Sequence, residues 1–371
     1  MQPGHLIHHE PVATSITGAR AWRVRYLSRD IAERDQETTG LVIASDSAGA
    51  DRPVVTWCHG TTGLGDAACP SAQPDPAREL TGYFTPQSTQ QIDCGVPGLQ
   101  AMIDAGWVVC ATDYQGLGSP GVHQYTVGPT NARDGVFIAR AARHLDAGAG
   151  TKLGVIGWSQ GGNAAAAIAE LDAADFGELD LVGSVLYSPG VPIMALAHPV
   201  GDSAGLSDPT ATPTAHLVMI LKGMAAAFDG LDVADILTPL GVELIETAWN
   251  DQPVHHLDDV IKRTFHLKGA LVRSDPQNFD AWKTAIARSS AGQTKPRCPL
   301  LLCVDAFGGG LVVPVSWQEG YQQAVEAHGA QLERIDFPND DHFSLPQAAA
   351  PQAQAWLAQR FIAWDSAPDR T

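Results

Sequence analysis

The stretch KLGVIGWSQGGNAAAAIAEL (152–171) decides the fold. Its first part, KLGVIGW, is a continuous apolar run, as a strand buried on both faces requires. Its last part, NAAAAIAEL, is Ala-rich and predicts a helix. Between them, Gly157-Trp158-Ser159-Gln160-Gly161 matches G-x-S-x-G. The pentapeptide alone says little, but a strand running in and a helix running out make it a nucleophile elbow. Such a turn forces the serine into a strained backbone, lifts its hydroxyl clear of the sheet, and leaves no room for side chains at 157 and 161. It also aims the first N–H groups of the helix, that of Gln160 among them, at any oxyanion formed there.

Outward from the elbow the same alternation recurs. Strands are predicted at AWRVRYLS (21–28), TTGLVIAS (38–45), PVVTWCHG (53–60), WVVCATDY (107–114), LVGSVLYSP (181–189), PLLLCVDA (299–306) and QLERIDFP (331–338). Helical spacing marks 98–106, 131–148, 163–176, 316–329 and 352–364. The pattern predicts an α/β fold with a mostly parallel, doubly wound sheet that opens on two or three antiparallel strands. Residues 66–97 read as an excursion above the sheet. Residues 190–295 hold helix-like pieces, such as AHLVMILKGMAAAF (215–228), and no convincing strand. They predict a helical cap inserted between the sixth and seventh strand candidates, over a core made of 1–189 and 296–371. Met219, Ile220, Leu221, Met224 and Phe228 either line an acyl pocket there or form the core of the cap.

Three further sites complete the chemistry expected of an elbow serine. His59-Gly60-Thr61-Thr62-Gly63 follows a strand, where a hydrolase places its second oxyanion N–H; Thr61 is the candidate donor and Thr62 its neighbouring alternative. The α/β-hydrolase order is serine, acid, histidine. Of 13 histidines, His342 alone follows the last strand candidate through a short loop, and is the candidate base. His59 precedes the elbow and reads as a histidine that shapes its loop. Asp305 is the only carboxylate near the end of the seventh candidate strand, and is the candidate acid. Asp340 and Asp341 read as solvated loop charges.

Bulk properties narrow the partners. A net charge of −18 and a pI near 4.9 repel phosphate backbones and anionic lipid, which argues against nucleic acid and strongly anionic substrates. The opening MQPGHLIHHE has neither a basic region nor an apolar run, and no stretch is long enough to span a bilayer. The expectation is a cytoplasmic chain as written, or a secreted one whose signal has been removed, without stable membrane insertion. None of the six cysteines forms a C-x-x-C pair, so no metal or redox cofactor is expected. Cys58, Cys110 and Cys303 read as small buried hydrophobes. Cys69 and Cys94 bracket a loop-like stretch and are either a disulfide, in an exported chain, or two free thiols.

Together TWCHGTTGLGDAACPS (56–71), VVCATDYQGLGSPGVHQYTVG (108–128) and GWSQGGNAA (157–165) resemble the secretory lipase family of bacterial and fungal α/β-hydrolases. The resemblance extends over nearly the whole chain. It implies a Ser–Asp–His triad, a helical cap, and ester substrates with apolar acyl chains. Two features depart from it. Many members carry an export signal, and members usually show G-x-x-D-x-x-V-P after the seventh strand, with Asp as the acid. Counting back from Val312-Val313-Pro314, that position here is Gly309 or Gly310. Either the loop is re-routed and Asp305 serves, or the acid is weakened or missing. The reading that follows is a carboxylic ester hydrolase with Ser159, His342 and Asp305 as triad and Thr61 and Gln160 as oxyanion donors. The alternative is an acyltransferase or biosynthetic tailoring enzyme on the same scaffold; a binding protein that has lost turnover comes third.

Overall fold

The computed structural model describes residues 2–82, 92–197 and 212–366. Among the described residues, nine strands form one sheet: β1 (Leu6–Val12), β2 (Ala19–Arg29), β3 (Asp35–Ser45), β4 (Arg52–Cys58), β5 (Val108–Thr112), β6 (Ala149–Trp158), β7 (Asp180–Tyr187), β8 (Leu300–Asp305) and β9 (Leu332–Phe337). Their spatial order is β1-β2-β3-β5-β4-β6-β7-β8-β9. The pairs β1–β2, β2–β3 and β3–β5 are antiparallel. All pairs from β5–β4 onward are parallel. Every sequence-predicted strand is present. The added one is β1, which shifts the numbering, so the long helical segment lies between β7 and β8.

The helices are α1 (Leu99–Asp104), α2 (Gly128–Ala142), α3 (Gln160–Ile168), α4 (Ala173–Phe176), α5 (Pro192–Ala197), α6 (Ala215–Ala227), α7 (Pro239–Ala248), α8 (Val254–Lys268), α9 (Phe279–Ser289), α10 (Val315–Ala327) and α11 (Leu345–Asp365). Successive strand side chains point to opposite faces, and the core divides accordingly. Leu300, Leu302 and Val304 of β8 join Val108 and Cys110 of β5 in one cluster, with residues of α2, α3 and α10. Leu301 and Cys303 join Val109 in the other, with residues of α1 and α11. A strand buried on both faces has no polar alternation to offer, which is why these runs read as continuously apolar.

A third cluster gathers Val218, Met219 and Met224 of α6, Leu257 and Ile261 of α8, and Trp282 of α9 between β7 and β8. The described part of this segment is helical, apart from short turns and one isolated bridge between Leu237 and Val272. Part of the 66–97 excursion lies outside the described residues; 66–82 contributes two single-turn helices and isolated bridges. Cys69 and Cys94 are both buried and unbridged, so the disulfide alternative is not realised. Among the described residues, no helix is long and apolar enough to cross a membrane.

Leu302 is fully buried in the middle of β8. Leu302→Ala is expected to cost about 2–5 kcal/mol of stability through lost contacts and a residual cavity, read from the denaturation midpoint. A loss below about 0.5 kcal/mol, the scale of surface substitutions, would contradict two-sided burial of this strand.

Candidate active site

Ser159 stands at the junction of β6 and α3 with φ 59° and ψ −118°, a conformation that costs a non-glycine residue energy. A Cβ at Gly157 would lie 2.0 Å from the Gly161 carbonyl oxygen, and one at Gly161 would lie 1.9 Å from the Cys58 carbonyl oxygen. The two glycines flanking the serine therefore let the helix sit directly on the β4 and β6 strand ends. The Ser159 N–H donates to the Tyr187 carbonyl at 3.0 Å, and the Ser159 carbonyl accepts from Gly162 and Gly190, both at 2.9 Å.

His342 follows β9 and is 3% exposed. Its carbonyl accepts from Trp158 Nε1 at 2.9 Å, which fastens the histidine loop to the residue beside Ser159. Its Nδ1 lies 3.2 Å from Asp305 Oδ2 and 3.1 Å from Ser188 Oγ. Asp305, the last residue of β8, is fully buried, and its other oxygen, Oδ1, accepts from Gln318 Nε2 of α10 at 2.7 Å. Gln318 Nε2 also reaches the Val313 carbonyl at 3.0 Å. At the position where the secretory-lipase pattern has Asp, the chain instead turns through Gly308, Gly309 and Gly310, with φ of 62°, 83° and 75°. The sequence-predicted acid and base are thus in contact. Asp340 and Asp341 do not face the imidazole: Asp341 Oδ1 accepts from the N–H of Phe343 and of Ser344, and Asp340 from the Ser344 hydroxyl. Among the described residues Ser159 Oγ has no hydrogen-bond partner, so the serine and His342 are not joined by one.

The oxyanion candidates are anchored separately. Thr61 Oγ1 is 2.7 Å from the Tyr125 hydroxyl. Among the described residues, neither the Thr61 N–H nor the Gln160 N–H has a protein acceptor. Thr62, by contrast, uses its carbonyl to accept from the Val254 N–H at the start of α8. His59 is buried with Nδ1 2.6 Å from the Gly60 carbonyl and Nε2 3.2 Å from the Asp113 carbonyl, and burial lowers its basicity. Both ring nitrogens are turned to the loop backbone, in keeping with a shaping role.

A polar relay that the sequence reading missed runs behind Gln160. Burial pushes His123 down to about 3, so it is neutral. Its Nδ1–H then donates to the Gln115 carbonyl at 2.9 Å, and its Nε2 accepts from Gln160 Nε2 at 2.6 Å. The Gln115 N–H donates in turn to Asp134 Oδ2 at 2.9 Å. Ser188 and Gln318 were also missed. Ser188 had one faint signal, its place just past a strand end like Ser159; Gln318 had none.

Ser159 and Gln160 open onto a cavity of about 150 Å³ whose walls are mostly apolar, among them Leu217, Ile220 and Leu221 of α6. The α6 stripe is therefore divided. Ile220 and Leu221 line the cavity, whereas Met219 and Met224 are fully buried in the helical cluster and Phe228 packs under the Arg288 guanidinium.

The relay has a pH signature. Burial raises Asp134 to about 7, against an ordinary value near 3.8. Its contribution to stability is present at low pH and lost as pH rises through 7. His123, held neutral, does the opposite: the unfolded chain takes its proton near pH 6.5 and the folded chain does not, so stability falls on acidification. Between about pH 4 and 6.5 the two oppose each other. Asp134→Asn is expected to become steadily less stable relative to the native chain as pH falls from 7 to 4, measured by denaturation midpoints. A parallel pair of pH profiles would refute this assignment.

The secretory lipase family model matches residues 84–237. No curated protein matches the sequence. Among solved structures, the rice cell wall degrading esterase LipA from Xanthomonas oryzae is similar with a TM-score of 0.70 and 18% identity over 98% of each chain. Candida antarctica lipase A in its closed state gives 0.68 and 14%, covering 98% of this chain and 83% of the other. A putative hydrolase from Legionella pneumophila gives 0.68 and 17%, covering 96% and 98%. At these identities the structural likeness speaks for the fold alone. The chain is similar to the secretory lipases over residues 84–237 and is built on the α/β-hydrolase fold.

Proposed function

We propose that this chain is a carboxylic ester hydrolase that works through an acyl-enzyme on Ser159, with residues 190–295 acting as a helical cap. The observation that carries the reading is the buried contact between His342 Nδ1 and Asp305 Oδ2, tied by Trp158 to the strained serine next door. With Nδ1–H donated to Asp305, the imidazole is fixed in the tautomer that leaves Nε2 as a base. His342 Nε2 takes the Ser159 proton as Oγ attacks the ester carbonyl. The backbone N–H groups of Gln160 and Thr61 stabilise the oxyanion. His342 then gives its proton to the leaving alcohol and activates the water that frees the acid. The serine–histidine hydrogen bond forms as the substrate seats, which accords with the loose catalytic contacts of ligand-free hydrolases.

The apolar cavity beside Ser159 supports an ester with an apolar acyl part. The main ground for acyl transfer was an acid absent from its usual loop. Asp305, within hydrogen-bonding distance of the imidazole, removes that ground. Gln318 and Ser188 are positioning residues in this reading, one holding the far oxygen of Asp305 and the other flanking Nδ1.

The native chain is expected to hydrolyse members of a p-nitrophenyl ester series from acetate to palmitate. Ser159→Ala should abolish turnover, and Asp305→Asn should lower kcat by roughly 10³–10⁴-fold, because the imidazole loses its orienting acceptor. Undiminished turnover by Ser159→Ala would end the proposal.

Gln318→Leu tests the support of the acid. It should reduce kcat by about 10- to 100-fold with KM little changed, since it displaces the acid without touching the substrate. An unchanged kcat would remove Gln318 from the machinery.

A further inference from the structure

Two helix faces wall the cavity beside Ser159. On α6, Ile220 and Leu221 lie three and four residues beyond Leu217; on α9, Phe279, Trp282 and Ile286 follow at steps of three and four. Each trio is therefore one face of its helix. The α9 face is graded. Phe279 is 39% exposed, whereas Trp282 is 2% and Ile286 8% exposed. The cavity thus has a rim at Phe279 and a closed end at Trp282 and Ile286.

The closed end is held fast. Trp282 Nε1 donates to Asp235 Oδ2 at 3.2 Å, and Asn278 Nδ2 donates to the same oxygen at 3.1 Å. Asp235 also closes a capping box with Asp232. Trp282 and Leu221 belong to one buried cluster of the helical segment. Walls made of packed helices yield little, so the cavity's volume of about 150 Å³ limits what can enter. An apolar cavity of roughly this size holds one benzene molecule, about six carbons. Ser159 and Gln160 border the same space. An acyl group bonded to Ser159 would therefore fill it within a few methylenes of its carbonyl, and a longer chain would have to displace a wall or return to water.

We infer that this cavity is an acyl pocket of fixed length, which takes straight acyl groups of about six carbons and disfavours those of ten or more, with Leu217 and Ile220 as specificity-determining residues. The inference rests on reading Ser159 as the nucleophile of an ester hydrolase. It concerns only where the acyl chain is held; neither side chain takes part in bond making.

The test is the kcat/KM of the native chain, Ile220→Trp and Leu217→Ala on p-nitrophenyl butyrate, hexanoate, octanoate and decanoate, each below its solubility limit. The native chain is expected to peak at butyrate or hexanoate, with decanoate at least about tenfold below the peak. Ile220→Trp fills the cavity and should lower hexanoate relative to butyrate by at least about tenfold. Leu217→Ala enlarges it and should raise decanoate relative to hexanoate by about tenfold. A native profile that is flat or peaks at decanoate, or an Ile220→Trp chain that keeps the native profile, would overturn the inference while leaving the ester-hydrolase reading in place. Hydrolysis of none of the four esters by the native chain would overturn both. Should Leu217→Ala fail to fold, the native profile and Ile220→Trp, which occupies existing space, still decide it.

Discussion

The backbone of Ser159 is the constraint on which the surrounding structure depends. A non-glycine residue at φ 59° carries strain of about 1–3 kcal/mol, and it persists only where neighbours over-determine it. Here they do. The Ser159 N–H is held by the end of β7, and its carbonyl is shared by the start of α3 and by Gly190. Those bonds also fix the chain just beyond β7, where Ser188 takes a positive φ of its own, 43°, and turns its hydroxyl to His342. One strained turn thus sets the strand end beside it, and that strand end in turn meets the histidine.

Behind the elbow, desolvation produces rigidity instead of reactivity. His123 and Asp134 are completely enclosed, and both are driven toward their neutral forms. A neutral imidazole has one donor and one acceptor, and here each is used: Nδ1–H on Gln115, Nε2 on Gln160. Asp134 also accepts from Ser28 Oγ of β2 at 2.5 Å, which joins the relay to the antiparallel side of the sheet. The relay therefore fixes Gln160 from its side chain while leaving its backbone N–H without a protein acceptor among the described residues. Preorganised donors of this kind need no reorganisation when charge develops.

How far the sequence was legible follows from the same physics. β5, β6 and β8 were plain because two-sided burial demands unbroken apolar runs. β1 was not: LIHHEPV is an edge strand with no buried residue, and its His, Glu and Pro hide the strand signal. α11 begins seven residues earlier than its periodic part, with Pro346 in the first turn, where no N–H is needed. In the candidate site, Ser159 and Asp305 were legible as candidates because each stands at a strand end, and His342 because it follows the last strand, in an order the fold dictates. Ser188, Gln318, His123 and Asp134 were not, since their contacts depend on which strand ends and helix starts become neighbours, and no local pattern encodes that.

The place of Asp305, the proposed acid, follows the same logic. With Asp at the usual loop position, its placement would depend on the loop's own conformation. Here the carboxylate belongs to β8 itself, and Asp305 is paired in register with Phe337 of β9. The Ala306 N–H closes onto the Phe337 carbonyl at 3.1 Å, and the Phe307 N–H onto Asp340 at 3.3 Å. The chain then needs only five residues to bring His342 back over the sheet. Asp305 and His342, the proposed acid and base, are thereby positioned by a single rung of parallel ladder, a more rigid support than a loop. The Gly308–Gly309–Gly310 turn, relieved of carrying a carboxylate, serves only to return the chain to α10, where Gln318 reaches Asp305 from the other side. In the proposed mechanism, what the family pattern registers as a missing residue is a transfer of the acid from loop to strand.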